Sequence, residues 1–281
     1  MNIGILHPGE MGISVAASVK NGGHEVFWVS EGRSEKTRER AERHGLIHAR
    51  SLDKLCRTCS IILSVCPPHA AEEVARQVVG ADFKGLYLDA NAISPQRSRA
   101  IGEMLRAAGV DFVDGGIVGG PAWERGETWL YLSGPRAEEV AACFANGPLE
   151  TKIIGKEIGK ASALKMCYAA YTKGTSALLS AILAAAEQYH VRSELNQHWD
   201  MDDPEFAAQV ERRVRRVTAK AWRFASEMEE IAATFAATGL PSGFHESAAE
   251  IFRRIAHFKD SPTLPELNEV LTSLQNKNPA E

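Results

Sequence analysis

The sequence predicts a doubly wound α/β domain that is followed by an all-helical domain, with one long helix joining the two. Short apolar runs alternate with helical patterns over residues 1–157, which is typical of a mostly parallel sheet covered by helices. Over residues 158–281, strong turn signals are sparse and helical periodicity recurs. We therefore expect a domain boundary between residues 157 and 158.

The strands of the first domain are predicted from apolar runs that are bounded by turn signals. Helices are predicted from about Met11, from about Ala70, over Ser94–Ala108 and near Arg136–Phe144. Repeated βα units make the strands parallel, and ligands of such sheets bind at the carboxyl ends of the strands. The predicted strands are Asn2–Leu6, Glu25–Val29, Ile61–Val65, Leu86–Asp89, Asp111–Asp114, Trp129–Leu132 and Lys152–Ile154.

One long helix is predicted over Ile158–His190, because this stretch is helical in period and contains no proline. At about 1.5 Å per residue it would span roughly 45 to 50 Å, more than one small core requires. Its later part, Thr175–Ala186, is apolar on all sides, as expected of a buried helix. In its earlier part, Lys165 either extends its stem to water or faces a cleft where its ammonium group acts. Lys165 belongs to a polar line that comprises Ser162, Lys165, Tyr168 and Thr172.

The second domain contains further helical patterns and two glutamates of interest. Glu227 and Glu230 lie three residues apart beside an apolar stripe. One of them could reach a ligand cleft, and Glu230 is the candidate; the alternative is a pair of solvated helix charges. The predicted helices are Asp203–Arg216, Thr218–Ala237, Phe244–Phe258 and Pro265–Gln275.

Composition excludes several classes of function. The chain is 44% hydrophobic and 24% charged, which is ordinary for a globular protein. A formal net charge of -4 provides no basic field for nucleic acid or for an anionic membrane. The first residues lack the basic region of a signal peptide, so a cytoplasmic location is expected.

The five cysteines do not predict a disulfide framework, because their number is odd and the chain is long. Cys56 and Cys59 form a C-x-x-C without a second pair, which favours packed thiols over a redox or zinc site. His245 and Glu246 lack the second histidine of H-E-x-x-H. No metal site is therefore expected.

The first strand, turn and helix contain part of a dinucleotide-binding fingerprint. Gly9 and Gly12 occupy the second and third glycine positions of G-x-G-x-x-G, where they allow close approach of a pyrophosphate and close helix packing. His7 occupies the first position, so the fingerprint is incomplete. The candidate cofactor contacts in this turn are His7, Pro8, Gly9, Glu10, Met11 and Gly12.

The end of the second predicted strand favours NADP over NAD. Ser30, Arg33 and Ser34 stand there, and an arginine with hydroxyl groups accommodates a 2'-phosphate at this place in the fold. Glu31 supports the alternative, because an acidic residue there accepts a hydrogen bond from the 2'-hydroxyl of NAD. Arg33 could also be a solvated loop charge.

Three further strand ends supply candidate ligand contacts. Cys66, Pro67 and Pro68 follow the third predicted strand, and Asn91 follows the fourth. A glycine-rich run, Gly115–Gly120, follows the fifth, and its position favours ligand contact over a simple turn.

Four motifs occur in order along the chain. Gly9–Gly12 reads G-E-M-G, Asp89–Pro95 reads D-A-N-A-I-S-P, Asp114–Gly120 reads D-G-G-I-V-G-G, and Gly159–Lys165 reads G-K-A-S-A-L-K. Together they resemble the motifs of the β-hydroxyacid dehydrogenase family, which includes 3-hydroxyisobutyrate dehydrogenase and the NADP-binding part of 6-phosphogluconate dehydrogenase. A phosphogluconate-dehydrogenase-like branch of that family is similar in the sequence G-G-P-A-W, which occupies residues 119–123 and begins with the last two glycines of the third motif.

The chain departs from this family where the family holds its substrate. Val118 stands in place of the serine of S-G-G, and Tyr168 and Ala169 stand in place of the asparagine pair of K-x-x-N-N. The residues that bind a short hydroxyacid in the family are therefore replaced here. The candidate substrate contacts of this chain are Asn91, Val118, Gly119, Gly120, Tyr168 and Glu230.

The resemblance implies an NADP-dependent oxidoreductase of the Rossmann type that moves a hydride between the nicotinamide and an alcohol or carbonyl carbon. Lys165 would be the general acid and base, with burial lowering its pKa. An imine reductase on the same fold and an NADP-binding sensor without catalysis are the alternatives. We also expect a homodimer through the helical domain, because Thr175–Ala186 needs cover on every side.

Overall fold

The computed structural model describes residues 1–276 and divides the chain into two compact units, Met1–Met166 and a second unit from Cys167 onward. The division falls inside the predicted long helix, so the first unit includes Lys165 and the second begins at Cys167. The last residues of the predicted second domain, 277–281, lie outside the described part of the chain.

The first unit is built on one eight-stranded sheet with the order β3-β2-β1-β4-β5-β6-β7-β8. All described neighbours are parallel except β6 and β7. The strand order reverses direction between β1 and β4, which confirms the doubly wound prediction and places the ligand crevice there. The strands are β1 Asn2–Ile5, β2 Glu25–Trp28, β3 Ile47–His48, β4 Ile61–Ser64, β5 Leu86–Asp89, β6 Asp111–Val118, β7 Trp129–Ser133 and β8 Glu150–Ile153.

Helices cover both faces of this sheet, and each face has its own apolar core. Ile13 of α1 and Val140 of α6 belong to the core on one face, while Leu55 of α3, Val74 of α4 and Ile101 of α5 belong to the core on the other. The helices are α1 Glu10–Asn21, α2 Glu35–Arg43, α3 Leu52–Thr58, α4 Ala71–Gly80, α5 Pro95–Ala107 and α6 Ala137–Ala142.

Three short elements of this unit were not predicted. Helix α2 has the sequence EKTRERAER and buries only Ala41, so it lacks the apolar stripe that identifies a helix. Strand β3 is two residues long and exposed, and α3 has seven residues. Elements this short carry little periodicity.

Strand β6 is longer than predicted. The sequence placed its end at Asp114 and a loop over Gly115–Gly120, but the strand continues to Val118. Residues 115–118 pair with β7 in antiparallel register, from Gly115 opposite Leu132 to Val118 opposite Trp129. Gly115 and Gly116 are therefore strand residues, and their lack of a side chain lets other segments of the chain pack close to the strand.

The predicted long helix is present as three consecutive segments: α7 Lys160–Ala169, a π-helical turn Ala170–Gly174, and α8 Thr175–Gln188. A π-turn is a rare single wide turn inside an α-helix. The prediction of one uniform helix over Ile158–His190 therefore missed this turn.

The second unit is all helical, as predicted, but its helices divide differently. One helix of 31 residues, α10, replaces the two that were predicted over residues 203–237. Helix α9 was missed because it buries none of its residues and therefore shows no apolar face. None of the helices within residues 1–276 combines the length and the apolar character that crossing a membrane requires. The helices after α8 are α9 Arg192–Asp202, α10 Phe206–Ala236, α11 Gly243–Arg254 and α12 Leu267–Gln275.

Candidate active site

The turn between β1 and α1 has the geometry of a dinucleotide-binding turn. A Cβ atom at Gly12 would lie 2.0 Å from the carbonyl oxygen of His7, so only glycine allows α1 to begin this close to β1. The backbone N–H of Gly9 donates to the His7 carbonyl over 2.8 Å and closes the turn. Pro8 is buried, Met11 is partly buried and Glu10 is exposed.

The same turn fits the pyrophosphate of a dinucleotide. A Cβ atom at Gly9 would meet no described atom within 4 Å, so the backbone there is open to a close ligand. No side chain caps the N-terminus of α1, which leaves its first N–H groups for an anion. NAD(P), when bound, supplies hydride transfer at its nicotinamide.

The residues after β2 adopt a tight turn that begins the next helix. The N–H of Arg33 donates to the Ser30 carbonyl over 3.1 Å. The Ser30 hydroxyl lies 2.8 Å from Nε2 of His48, and the Ser34 hydroxyl caps α2 by accepting from the N–H of Thr37. Both predicted clamp serines are therefore engaged within the chain, while Arg33 is partly buried.

His7, Arg33 and Cys66 follow the carboxyl ends of β1, β2 and β4. Burial, and then the nearby Arg33 charge, lowers the pKa of His7 to about 4. Burial also lowers the pKa of Arg33 and raises the pKa of the Cys66 thiol to about 12. Beside Cys66, Pro67 is exposed and Pro68 is buried. The imidazole is thus neutral and the guanidinium charged at neutral pH.

Asn91 ties together the ends of β4 and β5. Its Oδ1 accepts from the N–H of Cys66, and its Nδ2 donates to Ser64 Oγ over 3.2 Å and to Asp89 Oδ2 over 2.9 Å. Its backbone N–H donates to Asp89 Oδ1 over 2.9 Å. Only 2% of Asn91 is exposed, and these hydrogen bonds hold the loop; its contact with a ligand stays a prediction.

Asp89 and Asp114 are buried carboxyl groups that stand opposite each other on β5 and β6. Burial is the main cause that raises the pKa of Asp89 to about 7, and the Asp114 charge adds to it.

Asp114 anchors the start of α7, the helix that carries Lys165. Its Oδ2 accepts from the backbone N–H groups of Gly159 over 3.0 Å and Ser162 over 3.1 Å, which are orphan donors of the helix N-terminus. Its carboxylate also accepts from the hydroxyl groups of Ser98, Ser133 and Ser162. A negative charge at this end of a helix is also favoured by the helix dipole.

Lys165 lies along β6 near the carboxyl edge of the sheet. A Cβ atom at Gly116 would lie 2.5 Å from the carbonyl oxygen of Ala161 and 3.0 Å from the Cβ atom of Lys165. Since Asp114 holds the start of α7 and Gly116 meets Lys165, the helix advances along β6 toward Val118, the last residue of the strand. Lys165 is partly buried there.

The loop after β6 is exposed where the sequence predicted substrate contacts. Val118 is partly exposed, and Gly119 and Gly120 are exposed. Gly119 has a φ of +123°, and Thr128 Oγ1 donates to the Gly120 carbonyl over 2.8 Å. The loop is held in place by Ala122, whose N–H donates to the Ser14 hydroxyl of α1 over 2.9 Å.

The second unit contains the remaining predicted substrate residues and a buried ion pair that sequence reasoning missed. Tyr168 is 46% exposed and Glu230 is partly buried. Glu227, the other glutamate considered, pairs with Lys173 of the π-turn over 2.6 Å, and the ammonium group also lies 5.1 Å from the centre of the Phe224 ring. A paired charge of this kind has no distinctive spacing in the sequence.

Sequence reasoning also missed three residues that form hydrogen bonds within the candidate site. Ser98 and Ser133, which bind Asp114, and His48, which binds Ser30, come from elements far apart in the sequence. Cys56 and Cys59 are buried thiols, as favoured by the sequence, and burial raises their pKa values to about 11 and about 12.

The strand order, the glycine turn and the open N-terminus of α1 define an NAD(P)-binding domain of the Rossmann type. Residues 2–144, just over half of the chain, match the family model described as the NAD binding domain of 6-phosphogluconate dehydrogenase. Residues 186–255 match a domain of unknown function, DUF1932. The chain therefore belongs to the β-hydroxyacid dehydrogenase family, a family of NAD(P)-dependent oxidoreductases.

Two individual relatives are similar over most of this chain. An uncharacterized 28.5 kDa protein of Methanothermus fervidus is 30% identical over 196 residues, which cover 69% of this chain and 74% of that protein. A solved structure of a conserved protein of unknown function, described as similar to 3-hydroxyacid dehydrogenases, is 27% identical with a TM-score of 0.67 and covers 92% of this chain and 99% of its own.

Two more distant structures share the fold. Mycobacterium tuberculosis 3-hydroxyisobutyrate dehydrogenase, solved with L-serine, is 17% identical with a TM-score of 0.69, and the match covers 98% of this chain and 99% of that one. An imine reductase of Streptomyces aurantiacus is 16% identical with a TM-score of 0.57, over 98% of this chain and 100% of that one.

Proposed function

We propose that this chain is an NADP-dependent oxidoreductase that transfers a hydride between the nicotinamide and the alcohol or carbonyl carbon of a small hydroxyacid-like substrate. The observation that carries the proposal is the placement of Lys165. It lies on a helix that Asp114 anchors and that runs along β6 toward the edge where ligands of this fold bind. There its amine would exchange a proton with the substrate oxygen.

The other residues have supporting roles in this proposal. Gly119 and Gly120 form an exposed loop beside the end of β6 that can accept a substrate group. Asn91 positions the neighbouring loop through its four hydrogen bonds. In the second unit, Tyr168 and Glu230 stay candidates for substrate contact, and a cytoplasmic location stays part of the proposal.

The test is replacement of Lys165 by Met. Turnover of NADPH with an accepted carbonyl substrate should fall roughly a hundredfold or more, because proton transfer is lost while the cofactor turn is untouched. NADPH affinity, measured by fluorescence titration, should change less than about twofold. Lys160→Met is the matched control, since Lys160 lies on the same helix but is exposed and pairs with Glu157. Near-normal turnover of Lys165→Met would remove the lysine from the mechanism.

An imine reductase is the second candidate, because such enzymes share the fold. Lys165 favours the hydroxyacid-type activity, because the resemblance implies that hydroxyacid dehydrogenases use a lysine at this place in catalysis. NADPH oxidation across aldehydes, keto acids and cyclic imines separates the two. Cofactor binding without turnover of any of them would favour a sensor.

A further inference from the structure

Two buried nitrogen atoms, one after β1 and one after β2, have no hydrogen-bond partner among residues 1–276. They are Nδ1 of His7 and Nε of Arg33. Buried polar atoms in folded proteins are almost always hydrogen-bonded, because leaving one unbonded costs free energy. Two such atoms in one small region, both able to donate, indicate a place for an acceptor.

The two side chains belong to one region of the crevice. His7 ends β1 and Arg33 follows β2, and the guanidinium is close enough to His7 to lower its pKa. The same guanidinium interacts with Cys66 at the end of β4. Strands β1 and β2 pair in parallel, so His7 and Arg33 follow neighbouring strands at the same edge of the sheet.

The chemistry of this pair selects an anion. A guanidinium only donates hydrogen bonds and is always charged, and a neutral imidazole can donate from Nδ1. Ser30 and Ser34 already bond within the chain, to His48 and to Thr37. The N-terminus of α1, next to Gly9, is the expected seat of the pyrophosphate, whereas the end of β2 is the expected seat of the ribose 2'-substituent.

We propose that His7 and Arg33 together bind the 2'-phosphate of NADP, so that the histidine in the first position of the fingerprint is a specificity-determining residue. The proposal rests on the proposed use of a dinucleotide. In this proposal, the histidine that replaces the first glycine of G-x-G-x-x-G has a role in cofactor binding. Restoring the glycine should weaken the binding of NADP.

The experiment measures dissociation constants for NADP, NAD, 2',5'-ADP and 5'-AMP by calorimetry. The variants are His7→Phe, which keeps a buried ring without nitrogen, His7→Gly, which completes the fingerprint, and Arg33→Ala. Each variant should bind NADP and 2',5'-ADP about tenfold or more weakly, the range for a hydrogen bond to a charged group. Binding of NAD and 5'-AMP should stay within about twofold of the wild type.

If the His7 variants lose the same affinity for NAD as for NADP, His7 contacts the pyrophosphate and the proposal is wrong. Unchanged NADP affinity in both His7 variants would overturn it as well. Thermal melting of His7→Phe and His7→Gly separates a local effect from a folding defect. Phe keeps a large side chain at residue 7 and Gly removes it, so a weaker affinity shared by two variants that melt like the wild type is a local effect. If His7-dependent binding of 2',5'-ADP is found but no substrate oxidises NADPH, the proposed function fails and this inference stands.

Discussion

Asp89 and Asp114 show how two identical side chains in register acquire different properties. Asp114 accepts hydrogen bonds from three hydroxyl groups and two backbone N–H groups. Asp89 accepts from Asn91 alone among the hydrogen bonds of the described residues. Burial with less hydrogen bonding favours the neutral acid, and the pKa of Asp89 is raised to about 7.

Stability should therefore depend on pH through Asp89. Well below pH 3.8, the carboxyl is protonated in both the folded and the unfolded chain, so no charge is buried on folding. Between the unfolded value, 3.8, and the folded value, about 7, the unfolded chain ionises first, so the contribution of Asp89 to stability is lost as pH rises. The free energy of unfolding of wild type relative to Asp89→Asn should fall by at least about 1.4 kcal/mol, the equivalent of one pKa unit, between pH 5 and pH 7.5.

Urea unfolding at several pH values measures this difference. The Asn variant loses one acceptor for Asn91 at every pH, so only the slope of the difference reports the titration. A difference that is constant over this range would show that Asp89 is ionised in the folded chain throughout.

At the scale of the element, α7 is positioned by the close approach that Gly116 allows. The neighbouring atoms are the carbonyl oxygen of Ala161 and the Cβ atom of Lys165, neither of which can move without moving the helix backbone. The position of Lys165 thus depends on a missing side chain on another element.

Gly116→Ala should displace α7 from β6. It should cost about 1 to 3 kcal/mol of stability, the range for overpacking, and should lower turnover because Lys165 moves with the helix. Gly120→Ala is the matched control, since a Cβ atom there meets no described atom within 4 Å, and its stability should change by less than about 0.5 kcal/mol. Thermal and urea unfolding check both variants. If Gly116→Ala and Gly120→Ala are equally stable, α7 does not pack against Gly116 as closely as the structure shows.

At the scale of the whole molecule, α8 is covered on one side by the helices of its own unit, within the residues that the structure describes. Helices α10, α11 and α12 pack against it within the second unit. Leu178 and Ala185 are exposed, and Ala181 and Ile182 are partly exposed, so a line at helical spacing stays apolar and open. Leu179, the residue after Leu178, is instead buried in its own unit with 8% exposed.

We propose that a second copy of the chain covers this line and that the protein is a homodimer with an interface above about 2,000 Å². Leu178, which is 45% exposed, is the residue to test. Leu178→Asp should give a folded monomer, because the charge is in water in the monomer and buried in the dimer. Leu179→Asp should instead unfold the second unit.

Light scattering of the wild type at low micromolar concentration measures the assembly, and circular dichroism measures folding of the two variants. A stable, active wild-type monomer of 30.6 kDa would contradict the dimer.

The sequence by itself determined the α/β and all-helical division, most strand positions, the family and the importance of the β1–α1 turn. These features depend on local patterns: apolar runs, glycine spacing and motif order. It missed α2, β3 and α9, whose few buried residues leave no pattern, and it missed the π-turn at residues 170–174.

Only the tertiary structure decided which polar groups meet. Asn91 was predicted as a ligand contact, yet its amide is used by Ser64, Cys66 and Asp89. Asp114 accepts hydrogen bonds from serines on α5, β7 and α7. Such contacts join residues distant in sequence, and each requires the strand order and the helix approach before it can form. The physical reason is that hydrogen bonds act over about 3 Å, whereas sequence patterns report only the period and polarity of single elements.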